Sequence, residues 1–362
     1  MLKIENTPVN DFVFQHTFCS LPYTKMILNS WGEVSMCCHQ LTQLGKIEED
    51  TNILDLWNSP LAKEIRETTT QGNLHKVCSS WNSCPYMVME KKFGDVLTHK
   101  DSKYPTYLEI CLPDQHCNVG GLKPTDKNPA CIMCRRNFNT PEQKDLTDLL
   151  CRKARVLMPY LRELCVLGIA EPFWKDAVFN IFELLEFEKY KNQIKFVTNT
   201  NGICLTEKVA NKFFEKTNYS ELSWSLDSAT AITHEKIRRL DTFDLVVKNL
   251  RRWIELKRQF GQHHHQVVIY NNINLLNVHE MTMMVEMAAE LQVDKMIMLP
   301  TYDQAGVVQL GELLLCQKNV HIFKKCSEMA RERANQLNVN LHYSKSFELV
   351  PPPVSNGLTI IT

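Results

Sequence analysis

From about residue 104 onward, apolar residues gather in short runs separated by longer amphipathic stretches. The runs are Tyr107–Leu112, Leu164–Ile169, Ile194–Thr198, Leu222–Leu226, Val267–Asn271 and Lys295–Leu299, and each reads as a strand. Helical patterns lie between them near 141–160, 173–190, 206–217, 231–258 and 278–291. Strands alternating with helices imply a parallel sheet with helices outside. Six strand units fall short of the eight of a closed barrel, so the pattern predicts an α/β fold built as an open or partial barrel. Ligands in such folds sit beyond the carboxyl ends of the strands, which directs attention to the loop after each run.

Ahead of this alternation the pattern changes. Lys25–Leu28 and Glu33–Met36 flank Asn29-Ser30-Trp31-Gly32, a hairpin turn signal. Ile53, Leu54, Trp57, Leu61 and Ile65 recur at helical spacing within 51–69, and Pro60 is expected to split that helix or start its second half. Near the other end, His321–Leu337 reads as helix and Val339–Tyr343 as a strand, while Pro351-Pro352-Pro353 marks a stiff or disordered end.

Charge changes this picture little. Lysine plus arginine and aspartate plus glutamate both number 41, which gives no general attraction to nucleic acid or anionic membrane. Arg251 and Arg252 read as a solvated helix face. No segment approaches the roughly 18 apolar residues of a membrane span. Residues 1–14 lack a basic region followed by an apolar run, so a cytoplasmic location is expected. Fourteen cysteines in a reducing compartment point to metal ligation more than to disulfides. The run His263-His264-His265 reads as a loop leading into a strand, because three consecutive side chains diverge.

The chemistry concentrates after the first strand. Cys117-Asn118 follows that run, and Cys131-Ile132-Met133-Cys134 comes after thirteen intervening residues. Three thiolates suit a [4Fe–4S] cluster whose fourth iron stays open, whereas a closed electron-transfer site uses four. Zinc, with Cys111 as a fourth ligand, and buried structural thiols are the alternatives. These residues resemble the radical SAM superfamily, whose Cys-x3-Cys-x2-Cys hallmark follows the first strand of a partial (β/α)6 barrel. The first spacing is longer here, and Met133 stands where the family carries an aromatic residue near the adenine of S-adenosylmethionine (SAM).

Later strand ends extend the resemblance over roughly 104–300. Gly168-Ile169-Ala170-Glu171-Pro172 is similar to the family's Gly-Gly-Glu-Pro segment, which implies that Glu171 meets the SAM ammonium. Thr198-Asn199-Thr200-Asn201-Gly202 resembles its Thr-Asn-Gly turn and singles out Asn201. Ser223-Trp224-Ser225-Leu226-Asp227 resembles its Ser-x-Asp segment, which implies that Ser225 bonds the ribose or the SAM carboxylate. Arg238, in His234-Glu235-Lys236-Ile237-Arg238, resembles an arginine that pairs with that carboxylate. Asn271-Asn272 and Asn277-Val278-His279-Glu280 resemble the polar end of the fifth strand and the start of the next helix.

Cys19, Gly32, Cys37, Trp57-Asn58-Ser59, Cys78 and Cys84 resemble the opening of a SPASM domain, an auxiliary iron–sulfur module. The resemblance implies a second, auxiliary [4Fe–4S] cluster on Cys19, Cys37, Cys78 and Cys84, with Cys38 an alternative to Cys37 and a structural zinc site the competing reading. Cys151, Cys165, Cys204, Cys316 and Cys326 read as core thiols.

The implied organisation is an auxiliary-cluster α+β domain over 1–100, a radical SAM barrel over 101–305 and an extension over 306–362. The implied activity is reductive cleavage of SAM to a 5′-deoxyadenosyl radical that takes hydrogen from a substrate. A peptide is favoured as substrate, with a flavodoxin or ferredoxin as electron donor. A small-molecule dehydrogenase or epimerase is the alternative enzyme. A non-catalytic iron–sulfur or zinc protein that binds a partner is the alternative outside enzymes.

Overall fold

The fold is that of a computed structural model, which describes residues 19–37, 43–70, 75–76, 103–113, 117–119, 131–134, 144–168, 170–261, 264–301, 313–315 and 319–343. Cys38, Cys78, Cys84, Ile169, His263, Cys316, the first 14 residues and Pro351–Pro353 lie outside the described residues. The chain divides into two compact units, 1–113 with 144–168 and 180–194, and 114–143 with 169–179 and 195–362.

In the first unit a single turn, α1 (Leu21–Thr24), leads into β1 (Lys25–Leu28), followed by β2 (Glu33–Ser35) and β3 (Gln43–Lys46). The predicted hairpin is present: β1 and β2 pair antiparallel, with Ile27 opposite Ser35. Asn29 makes the turn. Its Oδ1 accepts from the backbone N–H of Trp31 (3.0 Å) and Glu33 (2.9 Å), and Gly32 takes the left-handed φ of 82° that favours glycine. Next come α2 (Ile53–Trp57) and α3 (Pro60–Thr70), separated at Pro60 as the sequence predicts. Pro60 opens the second helix, where its missing N–H costs nothing.

β4 (Tyr107–Cys111) pairs in parallel with β1, Lys25 beside Tyr107, and with β5 (Glu163–Leu167), Glu109 beside Cys165. Between them runs α4 (Thr147–Ala154), continued by a 3-10 segment over Arg155–Tyr160. One face of this sheet is an apolar core of Met26, Leu28, Leu108, Ile110, Leu164 and Val166, all fully buried. The opposite face holds Lys25 against Glu109 at 2.8 Å. The helix α5 (Ala177–Leu184) belongs by its residues to both units.

The second unit is a run of parallel strands and helices: β6 (Lys195–Thr200), α6 (Glu207–Lys216), β7 (Ser220–Ser225), α7 (Ala231–Arg238), α8 (Phe243–Gln259), β8 (His265–Ile273), α9 (Met281–Leu291), β9 (Lys295–Pro300), α10 (Val320–Leu337) and β10 (Leu341–Tyr343). The strands pair in chain order, β6 with β7, β7 with β8, β8 with β9 and β9 with β10, all parallel. All six predicted barrel strands are present. Thr206 caps α6 and Thr230 caps α7, each accepting from the N–H three residues on. The core carries buried Phe196, Phe213, Phe214, Trp224 and Trp253.

The single helix expected over 231–258 is two helices. Arg239 adopts a left-handed φ of 55°, ends α7 and turns the chain toward α8. His265 opens β8 with its Nδ1 2.6 Å from Ser220 Oγ, and His264 just before it lies against Tyr219. Arg251 and Arg252 are exposed, as read. Among the described residues no helix is long and apolar enough to cross a membrane.

Candidate functional site

Cys117, Cys131 and Cys134 all belong to the second unit, as do Met133, Glu171, Asn201, Ser225 and Arg238. The three cysteines are half-buried. Burial pushes the Cys117 thiol up to about 11; the Val119 backbone lowers it, and Cys131, Cys134 and Glu171, all within electrostatic reach of Cys117, add to the rise. Among the described residues no three Cys, His, Asp or Glu side chains gather closely enough to hold a single metal ion. A four-iron cluster is wider than one ion and keeps its thiolates farther apart.

N–H groups face two of the sulfurs. The Val119 N–H donates to Cys117 Sγ at 3.4 Å, and Arg238 Nη1 lies 3.7 Å from Cys131 Sγ. Cys117 Sγ also donates to the Val119 carbonyl at 3.2 Å, as a thiol does, whereas the donor aimed at Cys131 suits a thiolate; three half-buried cysteines in one unit fit a cluster once their thiols are deprotonated.

Glu171 is fully buried. Its Oε1 accepts from Thr200 Oγ1 (2.8 Å) and the Phe173 N–H (3.2 Å), and its Oε2 accepts from the Asn201 N–H (2.7 Å). Burial raises its pKa to about 7, with those three donors and Arg238 pulling the other way. The carboxylate therefore clamps the turn after β6. That turn needs Gly202: its φ is 79°, and a Cβ there would meet the Trp224 ring at 2.6 Å. Asn201 Nδ2 in turn donates to Asn118 Oδ1 at 2.7 Å, which ties the turn to the residue after Cys117.

Asn118 Nδ2 also donates to Cys204 Sγ at 3.1 Å. Cys204 is thus half-buried at the site and not the core thiol expected from sequence; Cys326 is half-buried too, while Cys151 and Cys165 are buried as expected. Burial, then Glu171, pushes the Cys204 thiol up to about 12.

Arg238 ends α7. Its Nη2 donates to the Ser225 carbonyl at 2.8 Å and forms an ion pair with Asp227. Asp227 is fixed by the Asn272 N–H on its Oδ1 (2.8 Å), and Asn277 Nδ2 reaches its carbonyl (2.5 Å). Burial works against the Arg238 charge, but Asp227 and then Cys131 more than reverse this, so its pKa stands above the ordinary value. Glu280 braces the start of the same helix, accepting from the Ala229 N–H (2.7 Å), Thr230 Oγ1 (2.7 Å) and Thr233 Oγ1 (2.5 Å). A small pocket opens here, lined by Val119, Asn201, Ile203, Ser225, His234 and Arg238 among others. Met133 lies elsewhere in the unit, packed with Ile132, Ile237 and Leu276. Its sulfur is 3.6 Å from Asn274 Nδ2, just after β8, and 3.7 Å from Thr301 Oγ1, just after β9.

Sequence reading alone did not select Asn118, Thr200, Asp227 or Glu280 as site residues. Asn118 and Asp227 stand inside quoted motifs. Thr200 and Glu280 do so too, but their partners are 29 and 47 or more residues away, so nothing local marks their roles. In the first unit Cys19 and Cys37 are half-buried, and Cys37 offers its carbonyl to Ser35 Oγ at 3.2 Å.

Residues 19–85 match the family model of SPASM, an iron–sulfur cluster-binding domain. No curated protein sequence matches the chain. Among solved structures, SuiB of Streptococcus suis bound to its precursor peptide SuiA is 14% identical, with a TM-score of 0.50 over 89% of this chain and 71% of that one. SuiB bound to S-adenosylmethionine is 14% identical, with a TM-score of 0.50 over 92% and 74%. A radical SAM methyltransferase from Sphaerobacter thermophilus is 15% identical, with a TM-score of 0.41 over 64% and 65%. The chain thus carries a segment that matches the SPASM iron–sulfur cluster-binding domain and shares its fold with SuiB.

Proposed function

We propose that this protein is a radical SAM enzyme acting on a peptide. The observation that carries the reading is the meeting, within one unit, of the Cys117 loop, the Thr200–Asn201 turn at the end of β6 and Arg238 at the end of α7 around one small pocket. Cys117, Cys131 and Cys134 would hold a [4Fe–4S] cluster with one iron left open for SAM. When bound, that pair supplies an electron and a 5′-deoxyadenosyl radical able to take hydrogen from an unactivated carbon.

The chain's own residues position and enclose. Glu171 acts through the turn it holds, fixing Asn201 beside Asn118 and so beside Cys117. Ser225 lines the pocket, and Met133 offers an apolar, polarisable surface near the ends of β8 and β9. Cys19, Cys37, Cys78 and Cys84 would hold the auxiliary cluster, and all four fall inside the SPASM match. On this reading residues 1–100 form the auxiliary-cluster domain, 101–305 the barrel and 306–362 an extension. A flavodoxin or ferredoxin would supply the electron. The peptide substrate is supported by the fold shared with SuiB, which was solved with a precursor peptide bound.

The test is anaerobic reconstitution with iron and sulfide, reduction with dithionite, addition of SAM and mass-spectrometric assay of 5′-deoxyadenosine. Wild type should form it, and Cys131→Ala should lower it at least a hundredfold, on the order of the effect of losing an essential group. Equal product from both would sink the reading.

A further inference from the structure

An arginine in this position invites the role of gripping the SAM carboxylate, but the hydrogen bonds of Arg238 argue otherwise. A guanidinium holds a carboxylate in a fork through two adjacent nitrogens, either Nη1 with Nη2 or Nε with Nη2. Both forks need Nη2. In Arg238 the two Nη2 hydrogens go to Asp227 and to the Ser225 carbonyl. Nη1 points instead at the Cys131 sulfur, 3.7 Å away, and Nε finds no partner among the described residues.

The placement is built from several directions. The Ile132 N–H donates to the Ile237 carbonyl at 3.0 Å, which binds the cysteine segment to the last turn of α7 one residue from Arg238. Asp227 is 1% exposed and is itself held by Asn272. Glu280 fixes the first turn of the helix. A cation is thus locked against one cluster ligand with an anion locked behind it.

We propose that Arg238 and Asp227 form a charge pair that sets the reduction potential of the SAM-binding cluster, with Arg238 Nη1 as hydrogen-bond donor to the Cys131 thiolate. The inference rests on the reading of Cys117, Cys131 and Cys134 as cluster ligands. Cluster potentials follow net charge and hydrogen bonds to the sulfurs. Reduction adds one negative charge, which Arg238 stabilises and Asp227 opposes. The two residues therefore pull the potential in opposite directions, and a merely structural pair would not.

The experiment is a redox titration of the full, reconstituted chain, followed by electron paramagnetic resonance on the signal that changes when SAM is added. Iron and sulfide contents are measured alongside. At the potential where wild type is half-reduced, Arg238→Gln should lower the reduced-to-oxidised ratio about tenfold, equivalent to about 59 mV for one electron. Asp227→Asn should raise the ratio, and Arg238→Lys, which keeps the charge, should restore most of it. An unchanged midpoint in a fully loaded Arg238→Gln protein, with SAM binding weakened instead, would return the arginine to the carboxylate role and overturn the proposal. Loss of the cluster in both Arg238→Gln and Arg238→Lys would overturn it in favour of a structural brace. A wild type without any SAM-responsive signal would refute the underlying cluster reading itself, an outcome distinct from both.

Discussion

Among the described residues Arg66 in the first unit is buried and Arg238 in the second is nearly so, its side chain 13% exposed, and the contacts that hold them differ. Arg66, within the SPASM-matching segment, is held by backbone carbonyls and a ring: Nε donates to the Pro22 carbonyl at 2.8 Å, Nη2 donates to the Trp57 carbonyl at 2.9 Å, and the guanidinium lies 4.3 Å from the centre of the Trp57 ring. Burial pulls its pKa down to about 10, with Tyr23 opposing. Arg238 has Asp227 beside it, and its pKa is raised. The first arginine joins α1, α2 and α3 through their carbonyls and aims at packing. The second is held by a carboxylate so that a remaining donor can face a thiol. Burial alone does not distinguish a brace from a functional cation; the partner set does.

The sharpest way to break this comparison is to remove Arg66. Arg66→Met keeps most of the volume but leaves the Pro22 and Trp57 carbonyls without their donor. Two hydrogen bonds from a charged group, each worth about 1.5–3 kcal/mol, predict a loss of about 4 kcal/mol. Urea unfolding followed by tryptophan fluorescence checks it. A loss below about 1 kcal/mol would mean that water replaces the guanidinium easily and that Arg66 is no brace.

Glu171 extends the comparison to an acid stabilised by neutral donors in direct contact. Its native pKa near 7 lies above the unfolded 4.5. Between these values the native state keeps a proton that the unfolded state has released, so stability falls as pH rises through that window. The fall is on the order of 3 kcal/mol. Glu171→Gln cannot titrate and should remove this slope. If the stability difference between wild type and variant were the same at pH 4 and pH 8, the carboxylate would not be titrating as described.

How much of this was legible in sequence depended on how local each signal was. The six strands showed as apolar runs, with ends two residues or fewer from those observed. Pro60 marked its helix break because proline removes an N–H. The break between α7 and α8 had no such mark, since the left-handed residue is Arg239 and not a glycine. The edge strand β3 was missed because Gln43–Lys46 is only half-buried at best and contains Gly45, so it makes no apolar run. In the site, Cys117, Asn201, Ser225 and Arg238 were visible as motif residues at strand or helix ends. Their partners were not: the 11-residue step from Asp227 to Arg238 and the contact of Arg238 with Cys131, 107 residues away, depend on how the chain folds back. Motif reading gave Arg238 an external carboxylate as partner; its internal partner, Asp227, was not visible that way.

The smallest effect belongs to a third kind of arginine. Arg251, on α8, makes an ion pair with Glu290 at 2.6 Å, a distance shorter than either hydrogen bond of Arg66. Distance alone would rank it the strongest. Yet the two side chains are 50% and 62% exposed, so water and salt screen the attraction, and ordering two long side chains offsets much of what remains. Arg251→Ala should change stability by no more than about 0.5 kcal/mol, and 0.5 M salt should reduce even that. A loss above about 1.5 kcal/mol, insensitive to salt, would show that geometry outranks burial here. The ordering of the arginines by their environment would then fail.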